Sequence, residues 1–457
     1  MPRNNDNMTG RASKGKTAGS RTAGDSDGGA HRREETGAAA AGATATSGTA
    51  AAAAGNYGQA AEAAISTVIL KKGKEQSVRR YHPWIFSGAI SSVSGNLKEG
   101  DVAEVYAWDK TYLATGHWAP GSIALRVLTF AKCNIDCDFF RTRLTDAFQY
   151  RIKSGIAGIN DTNVWRLVHG EGDGLPGLVV DIYGSVAVMQ AHTAGFWHIR
   201  EMIAGLLPEV TQGLVTAVYD KSEGTLPFMA KLKPSNGYLF GGNGEAGSVV
   251  TENGFKFRVD WEKGQKTGFF IDQRDSRSLV RQYSHGRNVL NMFGYTGGFS
   301  VYAMSNAILV HTVASSTVAT ALAVENIKLN FGNDPRHSAF TTDAFGFLSG
   351  MDREYDLIIL DPPAFAKHQT ALNQALQGYR RLNAMAIQKI KPGGILFTFS
   401  CSQVVSRDDF RRSVFVAAAN TGRKVRILHQ TGQPPDHPVN IYHPESEYLK
   451  GLVLYIE

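Results

Sequence analysis

One stretch, residues 288–300, constrains the fold of this chain more than any other. It reads NVLNMFGYTGGFS, a short apolar run that ends in a glycine-rich turn and continues as a helical pattern. Gly294, Gly297 and Gly298 can adopt positive φ and let a ligand lie against the backbone, and the N–H groups of a helix beginning near Phe299 point to the same place. The stretch therefore predicts a strand, a tight loop and a helix start, as in an open α/β sheet that binds a nucleotide-like cofactor.

The glycine spacing is Gly-x-x-Gly-Gly. It differs from the Gly-x-Gly-x-x-Gly of dinucleotide sites, and it lacks the Gly-Lys-Ser/Thr of a phosphate-binding loop. Taken alone, the loop is equally consistent with tight packing between a strand and a helix.

Strands and helices alternate after this loop. Apolar runs that predict strands cover 308–313, 355–360 and 394–400, and helical patterns cover 317–330 and 370–390. This order predicts a parallel, doubly wound sheet. Ligands bind beyond the carboxyl ends of such strands, where the predicted strand ends place Gly294, Asp343, Asp361 and Cys401.

Length and composition limit the alternatives. A length of 457 residues predicts two or three domains, and a hydrophobic content of 43% predicts a soluble globular protein. We find neither a run of about 18 apolar residues nor a signal-peptide pattern, so we expect a cytoplasmic protein without a membrane partner. Three cysteines cannot form a disulfide framework, and no second pair completes a metal site with Cys133 and Cys137, so we predict no metal.

Four regions follow from composition and pattern. Residues 1–64 are rich in Ala, Gly, Ser and Thr, which predicts a disordered low-complexity tail. Short alternating strands over 65–135 predict a small β-barrel. Residues 136–263 predict an α+β middle domain, with a sharp hairpin at the glycine-dense segment 170–177. Residues 264–457 form the predicted doubly wound domain.

Basic and aromatic residues are interleaved near the start of the barrel. This combination suits phosphate contact and base stacking on RNA, and the net charge of +7 favours a polyanionic partner. A solvated basic face beside a core tryptophan explains the same residues equally well. The candidate RNA-binding residues are Lys72, Arg79, Arg80, Tyr81, His82 and Trp84.

Polar residues surround two aromatic residues in the segment 262–275, at the junction with the doubly wound domain. Such a segment is typical of a cleft lining. Arg274 is a candidate for orienting Asp272 or a phosphate, although a structural ion pair is an equal alternative.

Four segments together resemble the RlmI-like family of large-subunit (23S) ribosomal RNA cytosine-5 methyltransferases. They are GQKTGFFIDQR at 264–274, NMFGYTGGFS at 291–300, DPPAF at 361–365 and SCS at 400–402. The resemblance covers residues 68–457. It implies a class I methyltransferase domain that uses S-adenosylmethionine, and it identifies the barrel as a PUA domain that contacts RNA.

The resemblance also implies roles for individual residues. Residues 293–298 would surround the methionine and ribose parts of the cofactor, Thr267, Phe269 and Asp272 would close its other side, and Asp343 would bind the adenine amine. The complete set of predicted cofactor-binding residues is Thr267, Phe269, Asp272, Arg274, Phe293, Tyr295, Thr296, Gly297, Ser315, Asp343, Asp361 and Pro362.

The chain departs from the family pattern at the end of the second strand. The family carries an acid there that accepts hydrogen bonds from the ribose, whereas this chain has Ala314. Loss of such an acceptor costs about 1.5–3 kcal/mol of binding, roughly ten- to a hundredfold in affinity. Ser315 or Ser316 could supply part of the interaction.

Cys401 and Asp361 are the predicted catalytic residues. Carbon 5 of cytosine is a poor nucleophile, and addition of the Cys401 thiolate at carbon 6 would make the ring electron-rich. Asp361 would hydrogen-bond the ring nitrogen or the exocyclic amine. The product would be 5-methylcytidine in large-subunit ribosomal RNA.

Two other functions remain open. The sequence DPPAF also resembles the motif of methyltransferases that modify an exocyclic amine of guanine or adenine, which need no thiol. A non-catalytic RNA-binding assembly factor is the second alternative, and Ala314 is its sequence support. A homodimer is possible, but the sequence does not decide the oligomeric state.

Overall fold

The computed structural model describes residues 65–227, 231–242, 248–351 and 355–457. The predicted tail at 1–64 lies outside the described residues. Among the described helices, none is both long and apolar enough to cross a membrane.

Six strands form the first sheet. They are β1 (Ser66–Leu70), β2 (Trp84–Phe86), β3 (Ile90–Ser94), β4 (Val102–Tyr106), β5 (Tyr112–Trp118) and β6 (Ile123–Thr129), with the short helix α1 (Gln76–Arg79) after β1. Their order is β2-β6-β5-β4-β1-β3. Residues alternate between partly buried and fully buried along β4, which places Ala103 and Val105 in the core with Val68, Leu125 and Val127.

A second sheet follows the long helix α2 (Cys137–Lys153). Its strands are β7 (Val164–His169), β8 (Leu178–Tyr183), β9 (Val186–Ala191), β10 (Ala217–Asp220) and β11 (Gly237–Phe240), with helices α3 (Ala194–His198) and α4 (Arg200–Val210) between β9 and β10. The strands are adjacent in chain order, and only β9 and β10 pair in parallel. The segment 170–177 joins the antiparallel strands β7 and β8, so the predicted hairpin is confirmed.

A β-hairpin, β12 (Ser248–Glu252) and β13 (Phe255–Val259), leads into the third sheet. Phe257 and Trp261 are buried in one core with Val289 of that sheet, so the hairpin packs against it. A short 3-10 turn (Ile271–Gln273) and the helix α5 (Arg274–Tyr283) come next.

Seven strands form the third sheet. They are β14 (Asn288–Met292), β15 (Leu309–Ala314), β16 (His337–Thr341), β17 (Leu357–Leu360), β18 (Gly394–Ser400), β19 (Val425–Thr431) and β20 (Lys450–Ile456). Their order is β16-β15-β14-β17-β18-β20-β19. Strands β14 to β18 pair in parallel, and β20 is antiparallel to both of its neighbours.

The helices that connect these strands are α6 (Gly298–Met304), α7 (Thr317–Phe331), α8 (Ala344–Gly350), α9 (Leu372–Lys389) and α10 (Arg407–Thr421). The predicted doubly wound sheet is therefore confirmed. The sequence did not predict α10 or β19. Strand order reverses next to β14, so the carboxyl ends of β14 and β17 border the cleft where such sheets bind ligands.

Candidate active site

The glycine loop after β14 packs tightly against β15. The amide of Gly294 donates a hydrogen bond of 2.9 Å to the carbonyl of Val313, and a Cβ at Gly294 would lie 2.5 Å from Thr312 Cγ2. Phe293 and Tyr295 have φ values of 60° and 43°, which non-glycine residues rarely adopt. Backbone strain of this kind concentrates at binding sites, so the tight packing of this loop is compatible with a binding role.

A series of hydrogen-bonded polar side chains packs behind the glycine loop. Asn291 Nδ2 donates to Ser300 Oγ at 2.9 Å, Ser300 Oγ lies 2.6 Å from Thr312 Oγ1, and Thr312 Oγ1 lies 2.9 Å from His337 Nε2. These bonds join β14, α6, β15 and β16. Hydrogen bonds between buried side chains hold those side chains in one arrangement, so this series fixes the start of α6 beneath the loop.

The junction segment before α5 lies against the glycine loop. The backbone amide of Gln265 donates to the hydroxyl of Tyr295 at 2.9 Å. The rings of Phe270 and Tyr295 meet edge to face with 5.2 Å between centroids. This contact agrees with the prediction that the segment 262–275 lines a cleft.

Two predicted cofactor residues have side chains that point into the protein. Thr267 Oγ1 donates to buried Asp181 at 2.6 Å, and the Phe269 ring packs under the guanidinium of Arg277 at 4.7 Å. Both side chains are buried. They therefore hold the segment in place, and we keep only their backbone in the proposed site.

Asp272 has one satisfied and one unsatisfied oxygen. Tyr448 donates its hydroxyl to Asp272 Oδ2 at 2.7 Å, whereas Oδ1 is buried without a hydrogen-bond partner in the described parts of the chain. Gln273 Oε1 is likewise buried, and no described residue donates a hydrogen bond to it. Buried acceptors without a donor cost about 1–3 kcal/mol each, so both atoms are suited to accept hydrogen bonds from a ligand.

Arg274 lies in a buried cluster of charges. It donates to Asp436 at 2.9 Å and to the carbonyl of Val164 at 2.9 Å, and it lies 3.5 Å from Glu252. Burial alone would raise the pKa of Asp436, but the neighbouring His437 and the guanidinium of Arg274 outweigh burial and hold this pKa well below its usual range. Arg274 thus has the structural ion pair that the sequence left as an alternative, and we leave it out of the proposed cofactor site.

Asp361 and Cys401 follow the neighbouring strands β17 and β18. The Sγ atom of Cys401 lies 3.8 Å from the carbonyl oxygen of Pro362, and Gln273 Nε2 donates to Asp361 Oδ1 at 3.1 Å. The predicted catalytic pair is therefore close together at the same edge of the sheet, facing the junction segment.

The protonation states of this pair depend on burial and on nearby carboxylates. Burial, with Asp272 close by, raises the pKa of Asp361 from 3.8 to about 7. Burial, Asp361 and Asp272 together raise the pKa of Cys401 to about 12. In the free protein the thiol is therefore protonated, and Asp361 changes charge near neutral pH.

Lys450 is the nearby cation that favours the thiolate. Its ammonium group donates to the carbonyls of Ser402 at 2.6 Å and Tyr448 at 2.7 Å, and its charge lowers the pKa of Cys401. Burial lowers the pKa of Lys450 itself to about 8. Gln273, Tyr448 and Lys450 were not predicted as site residues, because their roles depend on contacts between distant segments.

Two further predicted cofactor residues, Ser315 and Asp343, follow the strands β15 and β16. Asp343 caps α8, with Oδ2 accepting from the amide of Gly346 at 2.8 Å, and its side chain is exposed. Ala314 ends β15. Ser316 caps α7, so exposed Ser315 is the serine better placed to contact a ribose.

The predicted RNA-binding residues separate into two groups. Lys72, Arg79, Arg80 and Tyr81 are exposed, and Tyr81 is 52% exposed with φ of 65°. Lys72 Nζ lies 4.7 Å from the ring of Trp108, which is also exposed. The basic side chains are available to a phosphate backbone. The Tyr81 ring contacts Phe130 and Tyr442, with 5.3 Å between centroids in each case, and its exposed half is available to a base.

His82 and Trp84 instead contact other parts of the chain. Trp84 Nε1 donates to Glu171 at 2.8 Å, and the Trp84 ring lies 4.3 Å from that of His443. His82 Nε2 lies 3.5 Å from Glu445. We therefore remove both residues from the proposed RNA contacts, because their polar atoms and ring faces already have partners within the fold.

This geometry defines a class of protein. The sheet order, the glycine loop and the acid after β17 are those of a class I methyltransferase. A family model described as S-adenosylmethionine-dependent methyltransferase matches residues 212–443, and one described as a PUA-like domain matches residues 68–130. The chain is thus an S-adenosylmethionine-dependent methyltransferase that carries a PUA-like domain.

Curated relatives identify the family. The chain is 39% identical over 394 residues to ribosomal RNA large subunit methyltransferase I of Shewanella amazonensis, covering 84% of this chain and 98% of the relative. It is 40% identical over 403 residues to the protein of that name from Aeromonas salmonicida, covering 85% and 98%. The chain belongs to the ribosomal RNA large subunit methyltransferase I family.

Solved structures share the fold. A SAM-dependent methyltransferase structure from Streptococcus mutans superposes with a TM-score of 0.73 at 22% identity, covering 86% of this chain and 100% of that chain. A methyltransferase structure in complex with SAH superposes with a TM-score of 0.74 at 22% identity and the same coverage.

S-adenosylmethionine fits the cleft between the junction segment and the glycine loop. The unpaired acceptors Asp272 Oδ1 and Gln273 Oε1 match a ligand that carries an ammonium group and hydroxyls. Asp272 is the residue that would hold the ammonium group of the cofactor. The positive φ values of Phe293 and Tyr295 would place the backbone of the glycine loop against the cofactor.

Proposed function

We propose that the chain methylates carbon 5 of a cytidine in large-subunit ribosomal RNA and that Cys401 is the nucleophile. The observation that carries this proposal is the placement of the Cys401 thiol 3.8 Å from the Pro362 carbonyl, beside Asp361. The names of the relatives support ribosomal RNA as the substrate. The exposed residues Lys72, Arg79, Arg80 and Tyr81 are the proposed RNA contacts on the PUA-like domain.

A thiol at this position can activate carbon 5 of cytosine for methylation. As the Cys401 sulfur bonds to carbon 6, the electron pair of the carbon 5–carbon 6 double bond becomes available at carbon 5, and the ring nitrogen N3 takes up a proton. S-adenosylmethionine supplies the methyl group on a positively charged sulfur. Transfer of the methyl group to carbon 5 would leave S-adenosylhomocysteine, and N3 would return its proton to Asp361. Loss of the carbon-5 proton to solvent would then re-form the carbon 5–carbon 6 double bond and break the bond to Cys401, whose sulfur leaves as the thiolate and takes back its proton from Asp361.

Asp361 is suited to carry the proton in this sequence. Its pKa of about 7 allows it to accept the thiol proton as a carboxylate and then to hydrogen-bond N3 as an acid. The positive charge of Lys450 favours the thiolate, although burial holds the pKa of Cys401 near 12 in the free protein. A cationic cofactor sulfur placed beside the thiol would lower that pKa further.

The cofactor contacts that we propose come from both sides of the cleft. They are Asp272, the backbone of Thr267 and Phe269, the loop residues Phe293, Tyr295, Thr296 and Gly297, and the strand-end residues Ser315, Asp343, Asp361 and Pro362. The loop and the junction segment contact each other through Tyr295, which supports a common ligand between them.

The environment of Phe365 favours carbon over amine chemistry. In an amine methyltransferase, the aromatic residue of the motif must be available to stack on the target base. Here the Phe365 ring lies 4.6 Å from the ring of Tyr379 and 3.0 Å from where a Cβ of Gly378 would be. Phe365 is therefore partly buried, and its ring packs against Tyr379 of α9, which supports a structural role for this aromatic residue.

Nucleoside analysis of methylated RNA tests the proposal. Labelled S-adenosylmethionine and unmodified large-subunit ribosomal RNA should yield 5-methylcytidine with the wild type, no product with Cys401→Ala, and normal product with the control Cys133→Ala, which changes an exposed cysteine. RNA containing 5-fluorocytidine should form a covalent complex that requires Cys401.

The same assay distinguishes the alternatives. A methylated guanine or adenine, formed equally by wild type and Cys401→Ala, would identify an amine methyltransferase. If no variant methylated the RNA and calorimetry detected no binding of S-adenosylmethionine, the chain would be an RNA-binding assembly factor.

A further inference from the structure

Three potential metal ligands meet between the PUA-like domain and the segment before β20. His82 Nε2 lies 3.5 Å from Glu445 Oε2, and His443 Nε2 lies 3.7 Å from the same oxygen. One ligand atom from each of the three residues lies within 4.8 Å of the other two. None of these residues belongs to the catalytic site described above.

His443 is buried without satisfied hydrogen bonds. Its exposed fraction is 1%, and neither ring nitrogen has a hydrogen-bond partner in the described parts of the chain. Burying an unsatisfied polar group is unfavourable, and most buried polar side chains have a partner. Its Nε2 faces the carboxylate of Glu445, so the missing partner belongs between these two groups.

We propose that His82, His443 and Glu445 bind one divalent transition-metal ion of the Zn²⁺ class. In a tetrahedral site with bonds of about 2.0–2.1 Å, ligand atoms are separated by about 3.4 Å. The separations of 3.5 and 3.7 Å from Glu445 to the two histidines are close to this value, and the two histidine nitrogens lie within 4.8 Å of each other. Two imidazoles and one carboxylate suit Zn²⁺ and its neighbours, whereas Mg²⁺ prefers oxygen ligands.

The surrounding residues orient the ligands. His82 Nδ1 lies 3.2 Å from both the carbonyl oxygen and the backbone nitrogen of Trp84, so the Trp84 backbone holds the ring in place. In the tautomer that donates to the carbonyl oxygen, Nε2 has a lone pair facing Glu445. Such a second hydrogen bond is usual for histidines that bind metals. The Trp84 ring contacts His443 at 4.3 Å and is itself held by Glu171.

The metal would join two segments that are distant in the sequence. His82 precedes β2 of the PUA-like domain, whereas Glu445 lies just before Tyr448, which donates to Asp272 in the proposed cofactor site. The sequence predicts no metal because Cys133 and Cys137 have no second ligand pair at a matching spacing. Ligands near opposite ends of the described chain leave no spacing pattern.

Calorimetric titration of the full-length, chelator-treated protein with ZnCl₂ tests the proposal. One ion should bind per chain, and His443→Gln and Glu445→Gln should each weaken binding at least about tenfold. The control His285→Gln removes an exposed histidine outside the site and should bind like the wild type. Zn²⁺ should raise the melting temperature of the wild type and the control, but not of the two site variants.

Two further measurements test whether the variants fold and whether the metal binds at a cysteine instead. Circular dichroism of the metal-free variants checks the fold, and Glu445→Gln changes a side chain that is 42% exposed, so it should fold normally. Cobalt(II) absorption should lack a thiolate charge-transfer band. No binding by wild type, unchanged binding by folded Glu445→Gln, or a thiolate band that disappears in Cys133→Ser would overturn the proposal.

Discussion

Gln273 and Asp361 connect the two sides of the candidate active site, with Gln273 Nε2 only 3.1 Å from Asp361 Oδ1. This hydrogen bond favours the ionised carboxylate, yet burial and the nearby charge of Asp272 outweigh it and raise the pKa of Asp361 to about 7. The junction segment therefore both positions the proposed catalytic acid and, through the charge of Asp272, adds to the rise in its pKa that burial causes.

The raised pKa of Asp361 predicts a pH-dependent stability. Below about pH 4 the carboxyl is protonated in folded and unfolded chains alike, and between about pH 4 and 7 only the folded state binds the proton. The stabilising contribution of this group is therefore lost as pH rises through 7. Asp361→Asn should be more stable than the wild type at pH 8 by about 1–3 kcal/mol, with little difference at pH 4. Urea unfolding at both pH values measures this.

A matched substitution separates this effect from a general loss of charge. Asp408→Asn removes an exposed carboxylate in the first turn of α10 and should not gain stability at pH 8. If Asp361→Asn behaved like this control, the pKa of Asp361 would lie near its ordinary value. Methyl transfer by Asp361→Asn should be strongly reduced at either pH.

Ala314 predicts weak binding of S-adenosylmethionine that one substitution can improve. A carboxylate at the end of β15 would accept hydrogen bonds from the ribose, so Ala314→Asp should tighten binding roughly tenfold or more. Val318→Asp places the same charge on the first turn of α7, at a position 76% exposed, and should change little. Calorimetry compares the two. Equal affinities would mean that Ser315 or another group already satisfies the ribose.

The sequence predicts local patterns well because strand and helix periodicity and glycine turns are local properties. The glycine loop, the parallel strands and the positions of Asp361 and Cys401 follow from such patterns. The partners of Arg274 do not, because Asp436 and Glu252 are distant in the chain and meet it only in the folded protein. The same applies to Trp84, whose aromatic character fits both RNA stacking and the observed contact with Glu171.

Tyr448 should affect cofactor binding through Asp272. Tyr448→Phe removes the donor to Asp272 Oδ2 and leaves a second oxygen of this carboxylate unsatisfied. We expect a loss of about 1–3 kcal/mol in stability and weaker binding of S-adenosylmethionine. Tyr283→Phe removes a similar bond, of 2.8 Å to His429, outside the cleft. It should leave cofactor binding unchanged, and thermal melting with calorimetry on both variants would show whether Tyr448 acts on the site.

Glu252 should be among the most important residues for stability. Both of its oxygens accept from Arg277 at 2.7 Å, and Tyr302 donates to one of them at 2.9 Å, all in a buried environment. Glu252→Gln leaves a buried cation without its partner, which should cost about 3–5 kcal/mol. The partly exposed pair of Glu325 and Arg258 provides the comparison, and Glu325→Gln should cost less than about 1 kcal/mol. Equal losses in urea unfolding would contradict this assignment.

The basic residues of the PUA-like domain should contribute to RNA affinity through phosphate contacts. Lys72, Arg79 and Arg80 are exposed on one short stretch around α1. Each bound phosphate releases counterions, so replacing all three residues with alanine should weaken RNA binding and make its salt dependence less steep. The log–log slope should fall by about 0.7–0.9 for every phosphate that the variant no longer neutralises. Arg411 and Arg412 on α10 are also exposed and serve as controls. An unchanged slope in the triple variant, measured by filter binding at several salt concentrations, would place the RNA on another surface.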